Sequence, residues 1–185
     1  MIVRTIVACV FLVVLSTVVA NSDTIGLYDY WNGWSCNITD GLAYKAIYVV
    51  HWTSGNVTAS AFSAPKPACW TNATWVSDTD PWGWPGSSQT GKWYPYGVCI
   101  TEPTALYLMT IKFVVQGSSP PCCPYPLLPN PYEDPEHPIV VDCDNNIHPV
   151  PGLVATINSN ATCPCGYPVA VEETTWGRVK SLYGE

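Results

Sequence analysis

Thirteen residues constrain the fold more than any others: Ala105-Leu-Tyr-Leu-Met-Thr-Ile-Lys-Phe-Val-Val-Gln-Gly117. Side chains alternate between the two faces of a strand. One set here is Ala105, Tyr107, Met109, Ile111, Phe113 and Val115, with no polar break. The other is Leu106, Leu108, Thr110, Lys112, Val114 and Gln116, apolar at its start and wetter towards its end. A helix would scatter both sets around its circumference, and the aromatic and β-branched content favours a strand. The run predicts a long strand with one face in a core, and shorter strands recruited to cover that face.

Those shorter strands are legible around it. Thr24 to Tyr28 is a short opening strand, followed by an aromatic loop from Asp29 to Asp40 that carries Tyr30, Trp31 and Trp34. Ala43 to Thr53 alternates again: Tyr44, Ala46, Tyr48, Val50 and Trp52 share one face, Lys45 and His51 the other. Ser54-Gly55-Asn56 reads as a turn. Val57 to Ala64, Ala73 to Ser77, Gly97 to Ile100, Ile139 to Cys143 and Leu153 to Asn158 read as further strands, with Val169 to Val171 as one more. Two long loops interrupt them. Residues 78–96 are rich in Asp, Pro, Gly, Ser and aromatics, and residues 118–138 carry eight prolines. Proline removes a backbone donor, so the second stretch cannot be an interior strand. Many short strands between Gly/Pro turns describe an all-β antiparallel sandwich of the jelly-roll kind with long Pro-rich loops.

Both ends read differently. Arg4, the apolar run from Thr5 to Val19 and the small residues Val18-Val19-Ala20 predict a secretory signal peptide over residues 1–20. The domain is expected over 21–168, and a C-terminal tail over 169–185. In that tail Thr174 or Thr175 caps a short helix, with Trp176, Val179 and Tyr183 on one side and Leu182 beside them. Removing Arg4 with the signal leaves six basic and fourteen acidic residues, none of the basic ones clustered, which argues against nucleic acid or an anionic membrane surface as partner. No other window is apolar enough to span a bilayer.

Eight cysteines remain after Cys9 is discarded: Cys36, Cys69, Cys99, Cys122, Cys123, Cys143, Cys163 and Cys165. An even count behind a signal peptide implies up to four disulfides that staple the loops down. Their pairing stays open. Cys69 and Cys99 bracket one long loop, while the adjacent Cys122 and Cys123 point outward to Cys143, Cys163 or Cys165. The spacings of Cys122-Cys123 and Cys163-Pro-Cys165 are not those of a zinc site.

Candidate sites are fewer. Trp82, Trp84, Trp93, Tyr94 and Tyr96 crowd the first long loop, where flat rings suit sugar faces or a protein partner, with Asp78 and Asp80 available for hydroxyls. Asp142, Asp144 and Asn146 place oxygens at alternate positions, as the start of a calcium loop does, although the Gly and Glu such a loop needs are Ile147 and Leu153. Calcium is thus the weak cofactor candidate, and no other is indicated. No catalytic set stands out. His51 reads as a surface residue of its strand, His137 and His148 neighbour prolines, and the carboxylate pairs Glu133-Asp134 and Glu172-Glu173 lie in loop and tail.

The strand order resembles that of cohesin-like β-sandwich modules. Val57-Thr-Ala-Ser-Ala-Phe62 precedes the core strand Leu106 to Val115, and Gly152-Leu-Val-Ala-Thr-Ile157 supplies a closing strand. The tail Thr174-Thr-Trp-Gly-Arg-Val-Lys180-Ser-Leu-Tyr183 resembles the Thr-Trp-Gly-x-Ile/Val-Lys-x-Leu-Tyr ending of secreted proteins from uncultured bacteria. That resemblance implies export and a shared sorting or attachment signal, and it implies no enzymatic activity. The triplets at Asn37, Asn56, Asn72 and Asn160 would be glycan sites on exposed loops in a eukaryotic secretory pathway, and in a bacterial setting they usually mean nothing. The expectation is a non-enzymatic secreted or cell-surface protein that binds or builds, by adhesion, extracellular assembly or self-association. Its partner would be an extracellular protein or a surface polysaccharide. The alternative is a carbohydrate-binding module using loop 78–96.

Overall fold

The computed structural model describes residues 23–41 and 43–165. The expected signal peptide, the strand at Val169 to Val171 and the helical tail with Trp176, Val179, Lys180 and Tyr183 lie outside the described residues.

The strands in chain order are β1 (Thr24–Tyr28), β2 (Asn37–Ile38), β3 (Ala43–Thr53), β4 (Val57–Phe62), β5 (Ala73–Thr79) and β6 (Gly86–Ser87). They continue as β7 (Gly91–Ile100), β8 (Thr104–Val115), β9 (Cys123–Pro126), β10 (Ile139–Asp142), β11 (Ile147–Pro149) and β12 (Val154–Ile157). A four-stranded sheet, β1-β3-β8-β5, faces a five-stranded sheet, β11-β10-β4-β7-β6. A small third sheet, β2-β12-β9, is separate from both. The outer edge of β1 is closed by backbone bonds to Pro151 and Leu153, so that edge does not invite pairing with another chain.

The predicted central strand is β8, and it lies between β3 and β5. Its faces are not the two regular sets that strict alternation implies. Val49 pairs with Met109 but Val50 pairs with Tyr107, which leaves Leu108 as an extra residue, a β-bulge. The bulge switches the core face from Leu106 and Leu108 to Met109, Ile111, Phe113 and Val115, and it turns Ala105 and Tyr107 outward. Leu108 and Met109 are therefore both fully buried.

The same ladder corrects the reading of β3. Ile47, Val49 and His51 face the core, and all three are fully buried. The set Tyr44, Ala46, Tyr48, Val50 and Trp52 faces outward. His51 is thus an interior residue and not a surface one. Its imidazole tolerates the interior because Nδ1 lies 2.6 Å from the Tyr96 hydroxyl of the opposite sheet.

Two further corrections concern the loops. Residues 78–96 are not one loop, because β6 and most of β7 lie within them. Lys92, Tyr94 and Tyr96 point inward from β7, and Trp93 and Pro95 outward. Pro95 is tolerated because the ladder with β4 breaks beside it: Ala59 pairs with Pro95, but Val57 pairs with Ile100. Within residues 118–138 there is a short strand, β9, but it lies at the edge of its sheet as its prolines require.

The core is hydrophobic, with Trp70 and the rings of Phe113 and Tyr125 wedged at one end; the Trp70 and Phe113 centroids are 4.6 Å apart. Each such side chain buried is worth about 1.5–3 kcal/mol. Near Trp70, one carboxylate ties the loops together. Asp40 accepts bonds from Trp70 Nε1 at 2.8 Å, from the Ser119 backbone N–H at 3.2 Å, from Asn158 Nδ2 at 2.5 Å and from the Ser119 hydroxyl. Burial pushes its carboxyl up, but the bonds from Ser119, Asn158 and Trp70 outweigh that and hold it below the usual carboxylate range.

Four disulfides complete the tie-down: Cys36–Cys165, Cys69–Cys123, Cys99–Cys143 and Cys122–Cys163. Cys122 bonds outward as the sequence suggested, whereas Cys123 turns back to Cys69, and Cys99 joins Cys143 and not Cys69. The neighbours diverge because Cys122 takes φ +67° while Cys123 continues into β9 and points into the core.

Replacing Asp40 with Ala should cost roughly 3 kcal/mol, because Trp70 Nε1 and the Ser119 groups lose a charged acceptor in a buried place. Urea unfolding of the oxidised protein measures it. Since the folded carboxyl sits below its unfolded value, its contribution is present at neutral pH and lost as the pH falls through the folded pKa. The stability of Asp40→Asn should accordingly fall less steeply in acid than that of the wild type.

Candidate binding surface

The five aromatics singled out on the sequence do not form one surface. Tyr94 is fully buried, stacked on Phe62 with centroids 5.7 Å apart and interplanar angle 7°. Tyr96 hydrogen-bonds His51 in the interior. Burial drives both phenols far above their ordinary range, so both hydroxyls stay protonated. Trp82 caps Tyr94 edge-on at 6.3 Å. Trp93 points the other way and lines an open groove of about 380 Å³ on the outer face of the five-stranded sheet. Only Trp82 and Trp84 of the five stand exposed.

Nor are Asp78 and Asp80 free for a ligand. Asp78 accepts from the Ser88 backbone N–H at 2.6 Å, the Ser88 hydroxyl at 2.8 Å and Trp75 Nε1 at 3.0 Å. Asp80 pairs with Lys92 Nζ at 3.0 Å and takes the backbone N–H groups of Trp82, Gly83 and Trp84 on its other oxygen. Burial raises the Asp80 carboxyl, but the Lys92 ammonium and these donors win and keep it ionised. The segment is a buried ion pair that holds a turn in place. A sequence cannot show this, because an Asp spent on its own backbone looks the same as an Asp offered to solvent.

The weak calcium candidate is likewise occupied. Asp142 Oδ1 accepts the backbone N–H groups of Asp144 and Asn146, at 2.9 and 2.8 Å. Its Oδ2 meets Asn146 Nδ2 and His148 Nε2, both at 2.9 Å. The His148 and Asn146 bonds hold this carboxyl far below the usual range. The Asp and Asn run makes a tight turn between β10 and β11. Among the described residues no group of three or more His, Cys, Asp or Glu is arranged to hold a metal ion.

One constellation has the order of a hydrolytic relay. Asp23 Oδ1 lies 3.8 Å from His51 Nε2, and His51 Nδ1 meets the Tyr96 hydroxyl. The hydroxyl belongs to a buried tyrosine kept protonated, so it offers no nucleophile. His51 and Tyr96 instead tie β3 to β7, and Asp23 accepts the Ser54 backbone N–H at 2.6 Å. Burial raises the Asp23 carboxyl, but the nearby His51 ring and the bond from the Ser54 backbone N–H bring it below its usual value. His137 stays in its loop, where its backbone N–H bonds Asp134.

The surface that does gather exposed rings is the outer face of the four-stranded sheet. Tyr44, Tyr48 and Trp52 lie along β3, with Tyr107 beside Val50 on β8. Tyr48 and Tyr107 centroids are 6.3 Å apart. The loop after β1 folds back across this face. Its Gly33, at φ +73°, sits so close to the Trp52 indole that an added Cβ would lie 2.9 Å from the ring. Tyr28 and Val50 of this face are buried, while Trp31 and Trp34 remain 66% and 84% exposed and Tyr44 71%. A loop–sheet surface of this kind presents broad, stiff rings at low entropic cost, which suits recognition of a partner. The sequence shows these residues as one alternating set. It does not show which way the set faces, because Ile47-Tyr48-Val49-Val50 is apolar on both sides.

Comparison with known proteins follows this geometry only at the level of fold. No family model and no curated protein matches the chain. Among solved structures, the sixth cohesin from Acetivibrio cellulolyticus scaffoldin B, in complex with a mutant dockerin, superposes with a TM-score of 0.51 at 8% identity. The alignment covers 75% of this chain and 99% of that one. The fold is cohesin-like. A non-cellulosomal cohesin from the hyperthermophilic archaeon Archaeoglobus fulgidus aligns at 12% identity over 84% of this chain and 97% of its own, with a TM-score of 0.47.

The Lys92→Met variant should lose about 3 kcal/mol of stability, because it strands Asp80 without its counter-charge. Loss of the anchor should also red-shift and weaken the fluorescence from Trp82 and Trp84. A variant whose unfolding midpoint and emission match the wild type would contradict this account of the turn.

Proposed function

We propose that the chain is exported and works outside the cell or on its surface, by binding and assembly and not by catalysis. The observation that carries this reading is the outer face of the four-stranded sheet with the loop laid on it at Trp52, where Tyr44 and Trp52 of β3 and Trp31 and Trp34 of the loop stand exposed. Exposed large rings gathered on one face are costly to leave in water without a use. The four sulfur bridges support the extracellular setting, since disulfides of this kind persist in oxidising compartments. The fold supports the mode of action: a solved protein of this architecture is a cohesin in complex with a dockerin, a pairing of proteins. The carboxylates of Asp40, Asp78, Asp80 and Asp142 support it too, because each is spent on holding backbone or a neighbouring side chain.

Adhesion or extracellular assembly is the function this surface serves. Purified oxidised protein should bind to the cell envelope or extracellular matrix of the cells that produce it. The Trp31→Ala/Trp34→Ala double variant should lose at least tenfold in that binding with its unfolding midpoint unchanged. Trp82→Ala/Trp84→Ala should bind as the wild type does. Wild-type protein that binds no such material, or that releases product from a polysaccharide panel, would overturn the reading.

We propose further that the tail from residue 169 to 185 is a sorting or attachment segment. The bridge from Cys165 to Cys36 closes the sandwich just ahead of it. Deleting Trp176 to Glu185 should leave urea unfolding unchanged and shift the protein from the cell surface to the medium. Loss of folding would show instead that the segment belongs to the domain.

A further inference from the structure

The aromatic face is unusual in its charges. The outward positions of β1, β3 and β8 hold one ionisable group that carries charge at neutral pH, Lys112, and no carboxylate. That absence is notable in a chain of net charge −7. The other three lysines of the described residues have partners: Lys45 pairs with Asp29, Lys92 with Asp80, and Lys66 donates to the Trp70 carbonyl. Lys112 has no carboxylate partner among the described residues.

Its position is specific. In the β3–β8 ladder, Tyr44 pairs with Val114, Ala46 with Lys112 and Tyr48 with Thr110. Lys112 therefore stands beside the small Ala46, midway between two tyrosines. Four residues of strand set those tyrosines roughly 13 Å apart. The far neighbour of Lys112, on β5, is Ser77. The floor of the surface thus runs ring, cation over a small residue, ring, with hydroxyls alongside.

We infer that this face binds an extended polysaccharide bearing carboxylates, a polymer of uronic acids. The inference rests on the proposed binding role and names its ligand class. The two phenol rings stack against the apolar faces of pyranose rings, and the gap over Ala46 admits the sugars between them. Lys112 meets the carboxylate of a sugar in that gap, a charge-assisted contact that a neutral glycan does not make. The absence of carboxylates on the face spares an anionic ligand like-charge repulsion at short range. The remaining acidity of the protein makes the pairing local and not a matter of overall attraction.

The test uses the full exported chain with its disulfides formed, titrated calorimetrically with hexagalacturonate and with cellohexaose in low and moderate salt. Binding of hexagalacturonate is expected at both salt concentrations, with cellohexaose at least tenfold weaker. Lys112→Gln should remove that preference, and Tyr44→Ala should weaken binding of hexagalacturonate at least fivefold; both positions are on the surface of the sheet, and an unchanged unfolding midpoint confirms the fold. Equal binding of the two hexasaccharides, or indifference to Lys112→Gln, overturns the ligand class. If neither sugar binds while Trp31→Ala/Trp34→Ala still abolishes attachment to the envelope, the glycan inference fails and the binding role stands. If that attachment is also absent, both fall. Retention on an acidic envelope protein with no sugar binding likewise overturns the glycan.

Discussion

Eleven residues of β3 lie antiparallel to β8, and one extra residue in that ladder, Leu108, decides what each face of the sheet presents. A period-two strand has no tolerance for a slip: moving the register by one residue exchanges core and solvent for every side chain beyond it. The bulge makes such an exchange once, on β8 alone. It lets Leu106 and Leu108 join the core at one end and Met109, Ile111, Phe113 and Val115 at the other. The tyrosines Tyr48 and Tyr107 meet on the outside as a result. The aromatic surface and the hydrophobic core are two consequences of the same irregularity.

Much of the fold is legible from residues. The strands at Thr24–Tyr28 and Ala43–Thr53 have the bounds that alternation and the Ser54-Gly55-Asn56 turn suggest. Gly55 takes φ +99° where a side chain would collide with the Thr101 carbonyl. What escaped was decided by tertiary context. The Lys92, Tyr94 and Tyr96 set looked like loop because Gly, Pro and Asp surround it, yet a buried ion pair and a stacked Phe62 make it a strand. His51 reads as a surface residue because it shares its set with Lys45, yet the Tyr96 hydroxyl meets it across the core. The candidate site was legible as a list of aromatics and not as a place. The loop richest in rings on the sequence folds Tyr94 and Tyr96 inward and leaves Trp82 and Trp84 exposed, while the rings gathered on the sheet face come from β3 and the segment after β1.

The irregular segments are held by polar and covalent ties distributed around the sandwich. Asp40 gathers the segments at Trp70, Ser119 and Asn158, and Asp80 with Lys92 gathers the turn at residues 82–86. The disulfides do the same work on the unfolded side, each removing on the order of 4 kcal/mol of chain entropy in the loop-closure account. A sandwich whose strands are joined by segments this long and this rich in proline depends on such ties more than one joined by tight hairpins.

The bridge between Cys36 and Cys165 closes a ring of sequence separation 129. That ring encloses every strand from β2 to β12. When the chain is pulled by its two ends, tension crosses from one side of the molecule to the other through the sulfurs. Among the described residues, only those ahead of Cys36, β1 and the loop that follows it, lie in the path of the load. The strands within the ring would keep their length under a steady pull that would unravel an unbridged domain.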